Sequence, residues 1–211
     1  MTRSRDTANL LSDGGIGAAE LLTDAVETAK IKDLNVTTGK LAANAVTPGK
    51  MSQPLTHGTP VATTSGTEKD FTGIPAWVRR ITVSLAGVSL SGTALLRFRL
   101  GTSGGFATSG YVGAGSVISS GSATANQTAG FDIYTNVPNA SYTYSGEIVF
   151  VCVDATNDIW AAAGTFSCNS VAWTHTVAGH VDLSGALTQV RLTTSNGTDT
   201  FDAGTINIHY E

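Results

Sequence analysis

Four histidines, two cysteines and sixteen carboxylates supply the groups in this 211-residue chain that could bind metal or move protons. His175 and His180 are five residues apart, which puts them on opposite faces of a strand and rules out a simple chelating pair. One histidine from each chain of a trimer could still converge on a three-fold axis, but surface or internally satisfied imidazoles are the plainer reading of His57, His175, His180 and His209. For nucleophilic catalysis, Gly115-Ser116-Val117 and Gly121-Ser122-Ala123 lack the closing glycine of a nucleophile elbow, and neither Cys152 nor Cys168 has a local histidine. Gly101-Thr-Ser-Gly-Gly105 is glycine-rich, but without a lysine or a following helix it is not a phosphate loop. Asp154 with Asp158, and Asp199 with Asp202, flank turns rather than marking the two walls of a hydrolytic cleft. The expectation is a protein with no catalytic residues, no cofactor and no metal.

Recognition chemistry is better represented. Sugars are held by aromatic faces next to amide and carboxylate groups. Tyr142 and Tyr144 lie beside Asn136 and Asn139, and Trp160 lies beside Asn157 and Asp158. Tyr142, Tyr144, Trp160 and Asp158 are therefore the candidate receptor contacts. The competing reading is that these aromatics pack at strand ends or between subunits.

Charge narrows the partners. Only 13% of residues are charged, and the surface is rich in hydroxyls. Residues 1–51 are neutral, with six basic and six acidic side chains, whereas residues 52–211 hold six against ten. No basic stripe exists to displace counterions from phosphates, so nucleic acid is not an expected partner. The N-terminal MTRSRDTANLLSDGG has no apolar stretch of the signal-peptide kind. Nor does any segment approach the roughly 18 apolar residues of a membrane span. Cys152 lies in the apolar run Ile148–Val153 and reads as a small buried hydrophobe; a bridge to Cys168 is not expected. These features suit a protein folded in a reducing cytoplasm.

The elements that must carry any site begin with a repeat. Val26 is followed by Lys30-Ile31, Val36 by Lys40-Leu41 and Val46 by Lys50-Met51, with a weaker unit of Ile16 and Glu20-Leu21 before them. On an α-helix, ten residues advance about 1000°, so successive valines would drift around the axis by roughly 80° and give no apolar stripe. On a strand, Val26 and Ile31 would face opposite ways. Each unit reads as a short extended piece and then a turn begun at Thr28, Thr38 or Thr47. Two large apolar residues per ten cannot form a core within one chain, so copies from other chains must cover them. Ile16, Leu21, Val26, Ile31, Val36, Leu41, Val46 and Met51 are the expected core of a multi-chain stalk; a disordered tether is the alternative. Residues 52–58, with Pro54, form a joint.

From residue 59 the pattern is β. Ile81–Leu85 and Leu96–Leu100 alternate, with Arg97 and Arg99 directed away from the face of Phe98. Further strands are expected at 111–118, 131–135, 144–154, 160–168, 171–181, 190–194 and 206–210, separated by turns such as Ser195-Asn196-Gly197. Phe71, Ile74, Trp77 and Val78 are too apolar for a free loop and should seed the core or a subunit seam. Phe201 and Ala203-Gly204 should form a bend before the last strand. Nine or ten short strands without a helix predict a mainly β chain whose head, residues 59–211, is a jelly-roll-like β-sandwich.

The units Val26–Ile31 and Val46–Met51 resemble the V-T-x-x-K-[IL] shaft repeats of bacteriophage fibres. Residues 70–83 (DFTGIPAWVRRITV) and 199–211 (DTFDAGTINIHYE) resemble the phrases that bracket a domain of phage tail-fibre and virion structural proteins. The resemblance implies a homotrimer with a thin stalk and a globular β head, located on the virion. Residues 1–15 would anchor it to other virion proteins, and the head would contact a host-surface glycan. A capsid decoration, head fibre or tail-assembly adaptor without a receptor is the alternative. A Val36→Asp, Val46→Asp double variant is expected to lower the melting temperature of the trimer while leaving the head folded. Analytical ultracentrifugation checks this, and unchanged trimers would move the assembly interface to the head.

Overall fold

The computed structural model describes residues 50–211 continuously and, before them, residues 31, 36, 37, 41–43 and 45–47. Ile16, Leu21, Val26 and the expected anchor 1–15 lie outside the described residues. The chain divides into two units, Met1–Met51 and Ser52–Glu211. In the first, a hydrogen bond from Lys50 N to the Thr47 carbonyl (2.9 Å) closes a turn at the threonine of the last repeat.

The second unit is built from β1 (Thr56–His57), β2 (Val61–Ala62), β3 (Glu68–Thr72), β4 (Arg80–Leu90), β5 (Leu96–Thr102), β6 (Gly105–Phe106) and β7 (Tyr111–Ile118). Then follow β8 (Ser122–Gln127), β9 (Phe131–Asp132), β10 (Tyr144–Asp154), β11 (Ile159–Cys168), β12 (Trp173–Asp182), β13 (Gln189–Thr194) and β14 (Phe201–Tyr210). They form two antiparallel sheets. The larger runs β1-β14-β4-β10-β11-β12-β7-β8, with β2 also on β14; the smaller runs β3-β13-β5-β6, with β9 also on β5. The chain is mainly β, as its alternating pattern predicts. Residues 56–57 of the expected joint pair with β14 and so belong to the large sheet.

Alternation decides which side chains face inward. On β10, Tyr144, Ile148 and Phe150 are buried while Glu147, Val151 and Val153 are exposed. On β5, Leu96, Phe98 and Leu100 are buried. Phe98 of the small sheet stacks on Phe166 (ring centres 5.9 Å) and meets Phe150 edge-on (6.3 Å), both from the large sheet. Phe131 joins Tyr111 to Phe150. This aromatic cluster binds the two sheets face to face, and each ring removes roughly 150–250 Å² from water. Ile74 and Val78 are buried, with Phe71 and Trp77 packed against the core at its margin.

Two departures from regular pairing have sequence causes. Gly146, at φ 145°, sits where the β10–β4 register shifts, and a Cβ there would collide with the Thr165 carbonyl. Ala203 and Gly204 do not bend the chain before the last strand. They make a bulge inside β14, with Gly204 at φ 96° and its backbone against that of Gly87. Arg97 lies outside the core yet is not free in solvent. Its guanidinium makes two hydrogen bonds to the carboxylate of Asp132 (2.6 and 2.8 Å), its cross-strand neighbour on β9, and Gly130 lies against its methylenes. Asp132→Ala leaves this partly buried cation without its anion and is expected to cost about 1–3 kcal/mol, read as a lower midpoint in urea.

Candidate functional site

The four expected receptor contacts fall in two separate places. Tyr144 pairs with Cys168 at one end of the β10–β11 hairpin, and Cys152 with Trp160 at the other. The eight residue steps from Tyr144 to Cys152 span roughly 26 Å of strand, so the structure does not bring Tyr144 and Trp160 together. Three of the four side chains are also turned inward. Tyr142, Tyr144 and Trp160 are 8%, 8% and 3% exposed, because Tyr144 and Trp160 share strand faces with Phe150 and Phe166. Tyr142 packs edge-on against Trp173 (5.5 Å), and Tyr144 edge-on against His175 (5.3 Å). Burial raises the pKa of the Tyr144 phenol. Asp158 is half-buried at a turn, with φ 54°. It shares with Trp160 a cavity of about 50 Å³, far below the roughly 300 Å³ at which ligand pockets begin. The expected grip is therefore replaced by core packing.

A larger cleft, about 280 Å³, opens where the β5–β6 hairpin meets the end of β12. Thr102, Gly104, Gly105 and Phe106 come from the hairpin, Ala107, Thr108 and Ser109 from the segment after it, and Asp182, Leu183 and Ser184 from β12 and its exit. Gly105 adopts φ 121°, a conformation that lets the hairpin turn tightly. Residues 101–105 also spell G-x-S-x-G, but they form the turn of this hairpin with no helix behind them, unlike the strand-to-helix elbow that exposes a nucleophile.

The cleft is held from behind. Tyr111 is buried below it, and its hydroxyl accepts from Leu100 N (2.9 Å) and donates to the Ala107 carbonyl (3.2 Å), tying hairpin to following segment. Burial pushes this phenol up to about 12, so it keeps its donor proton at neutral pH. Arg191 places its guanidinium 4.1 Å from the ring centre of Phe106. Two hydrogen bonds to Asp70 (both 2.7 Å) and an ion pair with Glu68 (2.6 Å) fix Arg191 in turn. On the opposite wall, Leu183 N donates to the Asp158 carbonyl (3.1 Å).

The cleft presents one aromatic ring, one carboxylate (Asp182), hydroxyls from Thr102, Thr108, Ser109 and Ser184, and glycine backbone. Asp182 is the one titratable group lining it among the described residues. Such a set can accept and donate several hydrogen bonds and cover one apolar face of a polyol. Neither Phe106 nor Asp182 stood out in the sequence, since 76 positions separate them and only the hairpin's placement joins them.

The remaining sequence candidates have structural places. His175 is buried and His180 exposed, as their odd spacing requires. His175 Nδ1–H donates to the Tyr134 carbonyl (2.8 Å), while Nε2 has no hydrogen-bond partner among the described residues. Both cysteines are free; Cys168 is the buried one and Cys152 is half-buried. Among the described residues no group of three or more His, Cys, Asp or Glu side chains could hold a metal ion, and no helix is long and apolar enough to cross a membrane. No protein-family model, curated protein or solved structure matches the chain.

Burial lowers the pKa of His175, only partly offset by its bond to Tyr134. The unfolded chain then takes up this proton more readily than the folded one. Stability should therefore hold above the unfolded imidazole value near 6.5 and fall as pH drops through it toward the lower folded value. His175→Asn keeps a donor for Tyr134 without titrating, and should flatten thermal stability between about pH 6.5 and 5. Melting curves across that range provide the check.

Proposed function

We propose that this protein is a non-enzymatic structural fibre of a bacteriophage virion, a homotrimer whose repeat segment forms a stalk and whose β head contacts a glycan on the host surface. The observation that carries the reading is the state of the repeat's apolar side chains. Ile31, Val36, Leu41, Val46 and Met51 recur every five residues and are 44–55% exposed on the single chain. A regular series of half-exposed aliphatic residues has its simplest explanation in copies of the same segment that cover them. Three identical segments around an axis, as in the shafts that this repeat resembles, would do so. Residues 1–15 would dock on other virion proteins.

The cleft of Phe106 and Asp182 supplies the head's recognition chemistry in place of the buried Tyr142, Tyr144 and Trp160. One shallow site binds a sugar weakly, but three per trimer and several trimers per particle multiply the effective affinity. A second reading, a capsid decoration or assembly adaptor, draws on the large sheet's outer surface. Val112, Ile118, Val151 and Val153 are exposed there, and such a surface suits contact with another virion protein.

A glycan array probed with the full chain, with cryo-electron microscopy of particles, distinguishes the readings. Phe106→Ala and Asp182→Ala are each expected to weaken glycan binding about tenfold per site, close to 1.4 kcal/mol. Density on the capsid together with an array that stays blank would favour the decoration reading.

A further inference from the structure

β1 meets β14 over only two residue pairs, Thr56 with Tyr210 and His57 with His209. The next residue along, Gly58, donates its N–H to the Ile208 carbonyl (2.7 Å). That makes Gly58–Ile208 a hydrogen-bonded pair and His57–His209 a non-bonded one, the arrangement in which opposed side chains approach most closely. The two imidazole ring centres are 5.5 Å apart with planes inclined at 40°. His57 is exposed and His209 half-buried. Neither ring has a hydrogen-bond partner among the described residues.

We propose that His57 and His209 form a two-imidazole site for a divalent transition-metal ion of the Zn²⁺, Ni²⁺ or Cu²⁺ type. Metal–nitrogen bonds of about 2.0–2.1 Å place an ion roughly 3.2 Å from each ring centre. With one nitrogen of each ring turned to a common point, the observed separation corresponds to an angle of about 115–120° at the ion, close to the tetrahedral value that zinc adopts. Imidazole pairs select these ions over Mg²⁺ and Ca²⁺, which prefer oxygen. Since no third ligand lies within reach among the described residues, the other coordination positions belong to solvent.

The surroundings suit a cation. His209 lines a cleft of about 160 Å³ with Leu55, Arg80, Thr82, Tyr210 and Glu211. Arg80 is the nearby positive charge, and Glu211 pairs with it at 3.5 Å, so an approaching ion does not meet an uncompensated guanidinium. Bound metal would fasten β1 across its short ladder to β14, stiffening the segment through which the head is entered from residue 52.

The test is titration of the full chain with NiCl₂ and ZnCl₂ in a non-chelating buffer at pH 8, followed by calorimetry and melting temperature. Expected are one ion bound per chain, a higher melting temperature with either metal, and no shift with MgCl₂ or CaCl₂. His57→Gln and His209→Gln should each weaken binding at least tenfold, while His180→Gln leaves it unchanged. With Cu²⁺, electron paramagnetic resonance should show coupling to two imidazole nitrogens. Absence of saturable binding at millimolar metal overturns the proposal, as does binding that survives both single substitutions. One ion per three chains would also overturn it, since that stoichiometry means a shared axial histidine instead of a cross-strand pair. Circular dichroism of the variants separates lost ligation from lost fold.

Discussion

Contact between aromatic rings of the two sheets is the interaction on which the head depends. Phe98 is the only large ring that β5 offers the interior, and it touches Phe150 and Phe166 across the sandwich. Each sheet alone would leave an apolar face in water. Once the rings interlock, the face of every strand in both layers is decided, because a one-residue slip would turn an entire row outward. The burial of Tyr144 and Trp160, the exposure of His180 and the position of Tyr111 beneath the cleft all follow from that choice of face.

Alternation was legible wherever a strand carried large side chains. The bounds 111–118 and 144–154 were read correctly, and β11, β12 and β13 to within two residues. β8 (Ser-Ala-Thr-Ala-Asn-Gln) escaped because its inward residues are two alanines and the polar Gln127, which make no apolar alternation. β3 escaped because Phe71 is its one large apolar residue. The start of β14 was misread because Ala203-Gly204 carries the residues of a bend, which a sheet can equally use for a bulge.

The aromatic residues singled out in the sequence are buried in the structure. Tyr142, Tyr144 and Trp160 looked like recognition residues because of the asparagines and aspartates near them, yet parity already pointed inward. Tyr144 has the parity of Ile148 and Phe150, and Trp160 that of Phe166 and Cys168. The cleft at Phe106 could not be read from local pattern. It depends on where a hairpin between residues 96 and 106 lies against residue 182, a tertiary fact. The ladder of three acidic and basic side chains behind it, Glu68 and Asp70 on Arg191, likewise exists only once β3 and β13 are neighbours.

The position of β14 has a consequence for synthesis. This strand lies between β4 on one side and β1 and β2 on the other, so the first strands of the head find their partner about 150 residues later in the chain. Until residues 201–210 leave the ribosome, β4 keeps a bare edge and β1 and β2 have no ladder at all. Such long-range pairing is slow and exposes strand edges while it waits. During that interval the repeat segment is already outside the ribosome, with its aliphatic side chains free to meet those of neighbouring nascent chains. In the proposed trimer, association of the repeats would then precede closure of the β unit, which makes the order of events a property of translation as much as of affinity.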